Sequence, residues 1–257
     1  IPVSSGVSQR QYRIQQIAIG AMGALSFGAF AQPFFNPDVA NQAVFVVMGI
    51  LVLIPVLVFM GGLADTSIRG NLSFSAHLVL SVVGMLALLV AAAASAFHVS
   101  GPAIGAIQEI NDSWLDGLIT WLRDVHGTVM ATAVMEHALI ASVIGVVAGL
   151  YYWSPKIFGH QLNRNAGTLS AITLLGGLVL SGGSNIINGI LDEGDEVFNS
   201  SAYEGVWDTD AVEFFNIVGA IGSVLLLAGV GLVVLDLTIS VILRKGNTEN
   251  ANDPWGG

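Results

Sequence analysis

The sequence predicts an all-α membrane protein of six transmembrane helices with both termini on the cytoplasmic (or matrix) side. Three observations carry this. Of 257 residues, 54% are hydrophobic and only 10% charged, whereas roughly a quarter of a typical soluble domain is charged. Six stretches reach the ~20 mostly apolar residues that a membrane-spanning helix needs. The basic residues also divide unequally between the two sides that six spans create. The same composition excludes a disordered chain, since ample apolar surface is available for burial. The 31 glycines fit closely packed membrane helices. The sequence contains no cysteine, which excludes disulfides, zinc ribbons, iron–sulfur clusters and thiolate nucleophiles. A net charge of −10 argues against nucleic acid as a partner.

The spans form one domain over residues 1–257. Span one, Ile14–Phe35, is too long for a signal peptide and lacks a small-residue cleavage site. Its Gln15 and Gln16 are uncharged and suited to hydrogen bonding between helices. Span two covers Ala43–Leu63, and span three, Ala76–Phe97, has His77 and His98 at its interfacial ends. Span four, Val129–Trp153, closes on Tyr151-Tyr152-Trp153-Ser154-Pro155-Lys156. This run reads as an anchor, with aromatics at headgroup level, a proline that stops the helix and a lysine facing the inside leaflet. Span five, Thr168–Leu191, carries Gly176-Gly177 and the uncharged Asn185 and Asn188, which are suited to hydrogen bonding between helices. Span six, Ile217–Leu243, carries Gly219, Gly222 and Asp236. With Gly145-x-x-x-Gly149 of span four, these glycines form small-residue surfaces for close helix approach. Ile1 in place of methionine and the ending Pro254-Trp255-Gly256-Gly257 fit a processed or partial chain.

Six spans place Arg10, Arg13, Arg69, Lys156, Arg164, Arg244 and Lys245 on one side and only Arg123 on the other. By the positive-inside rule the first side is cytoplasmic. The acids run the other way: 13 of 18 fall outside, eight of them between Asp192 and Glu213. That loop reads as a solvated segment; the sharper alternative is a docking surface for a basic soluble cytochrome, where opposite charge speeds encounter. Between His98 and Thr128, Trp114, Leu115, Leu118, Ile119, Trp121 and Leu122 alternate with Asp112, Asp116 and Asp124, as in a short helix lying on the outer surface.

The segment Tyr151-Tyr152-Trp153-Ser154-Pro155-Lys156-Ile157-Phe158-Gly159, followed by Leu162-Asn163, resembles the end of helix X in subunit I of the haem–copper oxidases. Other segments resemble the same subunit in order. Tyr12-Arg13 with Ala18-Ile19-Gly20 is similar to the entry of helix VII, and Ile54-Pro55 with Ser67-Ile68-Arg69 and Ser73-Phe74 to helix VIII and its following loop. Val125-His126-Gly127-Thr128 resembles that family's Val-His-Asp-Thr, and Phe215-Asn216-Ile217 with Ile221-Gly222 the start of helix XII. Asn252-Asp253-Pro254-Trp255-Gly256 is similar to the Pro-Trp-Gly beyond it. The resemblance thus covers the C-terminal half, helices VII to XII. It implies a membrane subunit of a respiratory terminal oxidase, either non-catalytic or one product of a split subunit I that completes the bundle with a separate N-terminal piece, in a bacterial or archaeal plasma membrane or the mitochondrial inner membrane.

That family holds its copper with two adjacent histidines on helix VII and two haem irons with a His-x-His pair on helix X. Here span one reads Ala29-Phe30-Ala31-Gln32-Pro33 at the first place. The second falls on Val134 and Glu136, or on Ala133 and Met135, depending on the end from which residues are counted. Arginines for haem propionates are likewise replaced by the acidic run Asp192–Glu196. The resemblance therefore implies a degenerate subunit, with no catalytic residues, metal site or cofactor of its own and with haem and copper in partner chains. Three weak candidates for a cofactor remain: His126, matching a histidine near haem propionates; His137, with Met135 as an alternative haem pair; and Glu136, a stray ligand or proton relay. The plainer reading has Glu136 protonated or hydrogen-bonded to a neighbouring helix or subunit for packing specificity, His126 as an interfacial histidine and Asp236 as a structural partner of a neighbouring helix. The alternative from another class is a small ion transporter or channel using Glu136, His137 and Asp236.

Overall fold

A computed structural model describes residues 5–31, 34, 43–72, 74–100, 129–191 and 209–242. The amphipathic segment before span four, His126, most of the acidic outer loop, and Arg244 and Lys245 lie outside the described residues. Among the described residues, seven α-helices form six antiparallel rods: α1 (Tyr12–Phe30), α2 (Ala43–Leu51) with α3 (Leu53–Arg69), α4 (Ala76–His98), α5 (Met130–Phe158), α6 (Arg164–Ile190) and α7 (Thr209–Leu237). A π-helical turn, Thr238–Ile242, continues α7. The all-α membrane class predicted from composition is what forms. Five rods, all but α1, are long and apolar enough to cross a bilayer. α1 spans 19 residues and ends at Phe30 rather than at the expected Phe35.

Two prolines set the departures from the predicted spans. Span two is one rod interrupted at Val52 and running on to Arg69. Pro55 cannot donate to the Leu51 carbonyl, and its ring crowds that turn. Span four does not stop before Pro155 but continues to Phe158 and ends at Gly159, whose φ of 70° suits only a residue without Cβ. The Tyr151 carbonyl, deprived of a proline N–H, accepts the Ser154 hydroxyl at 3.2 Å instead. Asn163 then caps α6, its Oδ1 accepting the Asn165 and Ala166 amides at 2.9 and 3.4 Å.

The rods run in order from α1 to α7, with α4 touching α1, α2, α3, α5 and α6. Its small residues make this possible: Ala91, Ala92 and Ser95 are fully buried, and Ser95 donates to the Ala29 carbonyl of α1 at 2.9 Å. α7 packs chiefly on α6, and only 17% of its most apolar stretch is buried, against 33% to 50% in the other four long rods. Backbone meets backbone at this contact. A Cβ on Gly177 would lie 2.7 Å from the Leu226 amide nitrogen, and one on Gly222 would strike the Ser181 amide. Gly145, Gly149 and Gly176, read from the sequence as equivalent surfaces, instead face open space. Gln15 is buried against Gly62 and donates to the Val58 carbonyl at 3.0 Å, as an inter-helix hydrogen bond should. Gln16 does not bridge helices; it donates to Tyr12 of its own helix.

The antiparallel path brings Arg10, Arg13, Arg69, Lys156 and Arg164 to one end of the bundle. Contacts there confirm the arrangement: Arg69 donates to the Ser8 carbonyl and pairs with Asp65 at 2.8 Å, and Arg164 donates to the Phe74 carbonyl. Of the seven bases expected on one side, the five within the described residues share one end. At the far end, Gly189 of α6 lies against Met130 of α5.

Candidate functional site

Two carboxylates enter the helical bundle, one near each end. Asp236 sits on α7 near the basic end and is only 6% exposed. Its Oδ2 accepts the Tyr151 hydroxyl at 2.8 Å and the Asn163 amide at 3.1 Å, and its Oδ1 accepts the Ser240 hydroxyl at 3.1 Å. Tyr151 is on α5, Asn163 caps α6, and Ser240 lies in the π-helical turn. One side chain thus ties the ends of three rods together. Ser154 reinforces the same corner by accepting the Leu162 amide at 3.4 Å. The sequence reading of Tyr151 as a headgroup anchor is corrected here: the ring is buried and its hydroxyl serves Asp236. Only Trp153 of the aromatic run is exposed, while Tyr152 stacks edge-on against His77, with ring centroids 5.3 Å apart. His77 also hydrogen-bonds Ser75 at 3.0 Å.

Glu136 lies on α5 about 9 Å in from the far end, six residues after Met130 at ~1.5 Å per residue. It is half-buried. Its Oε1 accepts the Ser181 hydroxyl at 2.6 Å and its Oε2 accepts the Asn185 amide at 2.8 Å, both from α6. Ser181 in turn meets the Ser223 hydroxyl of α7 at 3.2 Å. One turn further out, Asn188 donates to Asn216 at 2.9 Å. A line of polar side chains therefore crosses from α5 over α6 to α7. Ser181 and Asn185 recur four residues apart, as one face of a helix requires. The sequence marked Asn185 and Asn188 as helix-to-helix contacts, but Ser181 and Ser223 carried no signal distinct from other serines.

His137, adjacent to Glu136 in sequence, points elsewhere. It is 3% exposed, its Nδ1 lies 2.9 Å from the Ala133 carbonyl, and its ring rests on Gly182. A Cβ at Gly182 would fall on the ring, within 2.6 Å of Nδ1 and 2.9 Å of Nε2. His98, expected to be explained by interfacial polarity, is buried at 2% exposure. Tyr151, which holds Asp236, lies 15 residues from Glu136, about 22 Å along α5. The residues of the ion-path reading thus fall into two separate groups.

The haems and copper that the resemblance implies can be tested against the residues present. At the helix X positions Ala133 is fully buried and Val134 3% exposed, packed with Ala94 and Met130. Of the helix VII run, Ala29 is 2% exposed with its carbonyl taken by Ser95, while Gln32 and Pro33 lie outside the described residues. His137 is committed to Ala133 and to the glycine face of α6, and Glu136 to Ser181 and Asn185. Among the described residues none of the helix VII or helix X positions carries an imidazole, Ala133 and Val134 are packed in helix contacts, and the residues present do not supply the ligands of two haems and a copper. A cavity of about 350 Å³ does lie between α3, α4 and α5, lined by Phe59, Leu63, Gly84, Met85 and Ser142 among others. It has no histidine, and its Ser81 and Ser142 hydroxyls are spent on carbonyls of their own helices.

No protein-family model matches the chain. Among curated proteins, the chain is 30% identical over 131 residues to cytochrome c oxidase subunit 1 of Alkalihalophilus pseudofirmus, covering 51% of this chain and 20% of that one. It is 23% identical over 258 aligned positions to a probable cytochrome c oxidase subunit 1 of Bradyrhizobium diazoefficiens, covering 98% of this chain and 35% of that one. Quinol oxidase subunit 1 of Bacillus subtilis matches at 27% over 132 residues, 51% of this chain and 19% of the relative. The chain thus spans at most about a third of the curated relatives it matches. Its apolar rods and these relatives together make it an integral membrane protein, and its sequence is similar to part of subunit 1 of cytochrome c and quinol oxidases.

Proposed function

We propose that this chain is a structural subunit of a respiratory terminal oxidase, derived from the C-terminal half of subunit I and carrying no redox centre. Haem, copper and oxygen reduction belong to partner chains in this reading. The observation that carries it is the packing at two of the helix X positions: Ala133 and Val134 are buried in helix contacts, and His137 is held against Gly182. An imidazole or a porphyrin introduced there would have to separate rods that now touch. The basic end of the bundle faces the cytoplasm (or matrix), following the positive-inside rule. The acidic residues of the opposite loops, Asp192 to Glu213, offer a field for a basic soluble cytochrome.

The ion-path alternative is less well supported. Glu136 and Asp236 are near opposite ends, and each accepts two or more hydrogen bonds from its own neighbours. Affinity purification of the tagged chain from its own membranes tests the oxidase reading. The expected product is an assembly with haem absorption and with a second, histidine-bearing oxidase chain. A stable monomer free of other chains would contradict it.

A further inference from the structure

Glu136 presents a carboxylate at membrane depth on a face that the rest of the bundle does not cover. It is half-buried, as is Asn185, while Ser223 and Asn216 on α7 are exposed. On α7 these last two fall on one stripe with Ala220 and Leu227, all exposed and spaced 4, 3 and 4 residues apart. α5 and α7 meet at the basic end through Tyr151 and Asp236. Towards the far end, what lies between them is the polar line over α6, Glu136–Ser181–Ser223. The result is a shallow trough over buried Ser181, with Glu136 the acid at membrane depth and exposed Glu213, three residues before Asn216, extending the α7 stripe outward.

Hydrocarbon does not tolerate such a surface: an ionised group in the membrane is matched by a partner charge or a wet cavity. The two carboxyl oxygens of Glu136 are hydrogen-bonded to Ser181 and Asn185 and to no base among the described residues. Its donors are neutral. The basic side chains of the described residues, Arg10, Arg13, Arg69, Lys156 and Arg164, are all at the other end of the bundle. His137 turns its ring to Gly182 instead.

We infer that the α5–α6–α7 trough is the docking surface for a transmembrane helix of another chain that bears a lysine or arginine opposite Glu136. The limited burial of α7 and its small, polar stripe allow that helix to approach closely. This goes beyond the oxidase reading and does not depend on it, since the charge and shape of the trough select the partner.

The probe is a 21-residue leucine–alanine transmembrane peptide with one lysine placed about 9 Å below the far-side interface. Its control carries norleucine instead. Binding is read by energy transfer in phosphatidylcholine vesicles to the full chain, labelled at one cysteine added after Gly257, the native chain having none. The lysine peptide is expected to bind about tenfold tighter than its control. In Glu136→Gln, which keeps hydrogen-bonding capacity toward Ser181 and Asn185, the preference should fall below twofold with little change in melting temperature. Ser223→Ile, which leaves the acid and fills the trough, should weaken both peptides. Equal binding of the two peptides, or an unchanged preference in Glu136→Gln, would overturn the proposal. So would lysine-peptide binding that emerges only in Arg123→Gln, because the chain's own outer segment would then be the occupant.

Discussion

Replacing Gly222 with valine is expected to cost about 3 kcal/mol and to lower the melting temperature in detergent by about 6–12 °C. The reason is the identity of the atoms in the way. A Cβ at residue 222 would meet the Ser181 amide, the Leu180 carbonyl carbon at 2.7 Å and the Gly177 carbonyl oxygen at 2.8 Å. All are backbone, and none can swing aside as a side-chain tip would. α7 would be pushed off α6, with loss of the Ser170 hydroxyl donation to the Gly229 carbonyl at 2.9 Å and of the Ser181–Ser223 contact. Gly176→Ala provides the control, since open space faces it, and its effect should stay within about 0.5 kcal/mol. A differential-scanning measurement giving equal melting temperatures for the two variants would refute the backbone contact.

Asp236→Ala should be as damaging, at about 3–5 kcal/mol, because it removes one member of a buried polar group and strands the rest. Tyr151, Asn163 and Ser240 would each point a donor at a void, and the α5–α6 corner would lose its tie to α7. Tyr151→Phe removes one donor and leaves the aspartate with two others, so about 1–2 kcal/mol is expected. In the double variant the losses should not add, with a coupling of at least ~1 kcal/mol. Additive melting shifts would mean that the hydroxyl and the carboxylate do not depend on each other.

The rods were legible in the sequence because length and hydropathy are local properties of the chain. Their ends were not. Pro155 follows the expectation for a helix terminator, yet Ser154 satisfies the carbonyl that the proline leaves, and α5 continues to Gly159. The glycines illustrate the same limit. Gly145-x-x-x-Gly149 has the spacing of a close-packing motif and faces open space, while Gly182 and Gly189, which carry no motif, are pressed against His137 and Met130. Which face of a helix meets a neighbour depends on the other helices, and spacing within one span does not encode it. The candidate site was half visible. Glu136 and Asp236 stood out as charges inside apolar spans, and Asn185 and Asn188 as inter-helix contacts. Tyr151 was read as an anchor because its neighbours Tyr152 and Trp153 look like one. Its partner is 85 residues away, beyond any local pattern.

The missing histidines were the most telling sequence feature, and packing now gives them a physical meaning. Ala133 and Val134, at two of the positions that the resemblance gives to haem ligands, are buried in helix contacts, Val134 against Ala94 of α4. The central claim is that this packing replaced a redox site. Its most direct test is the optical spectrum and metal content of the chain purified after expression in a haem- and copper-replete host. The account predicts no Soret band and no stoichiometric haem or copper bound to this chain. A stoichiometric Soret band that shifts in His137→Gln or Glu136→Gln would contradict it.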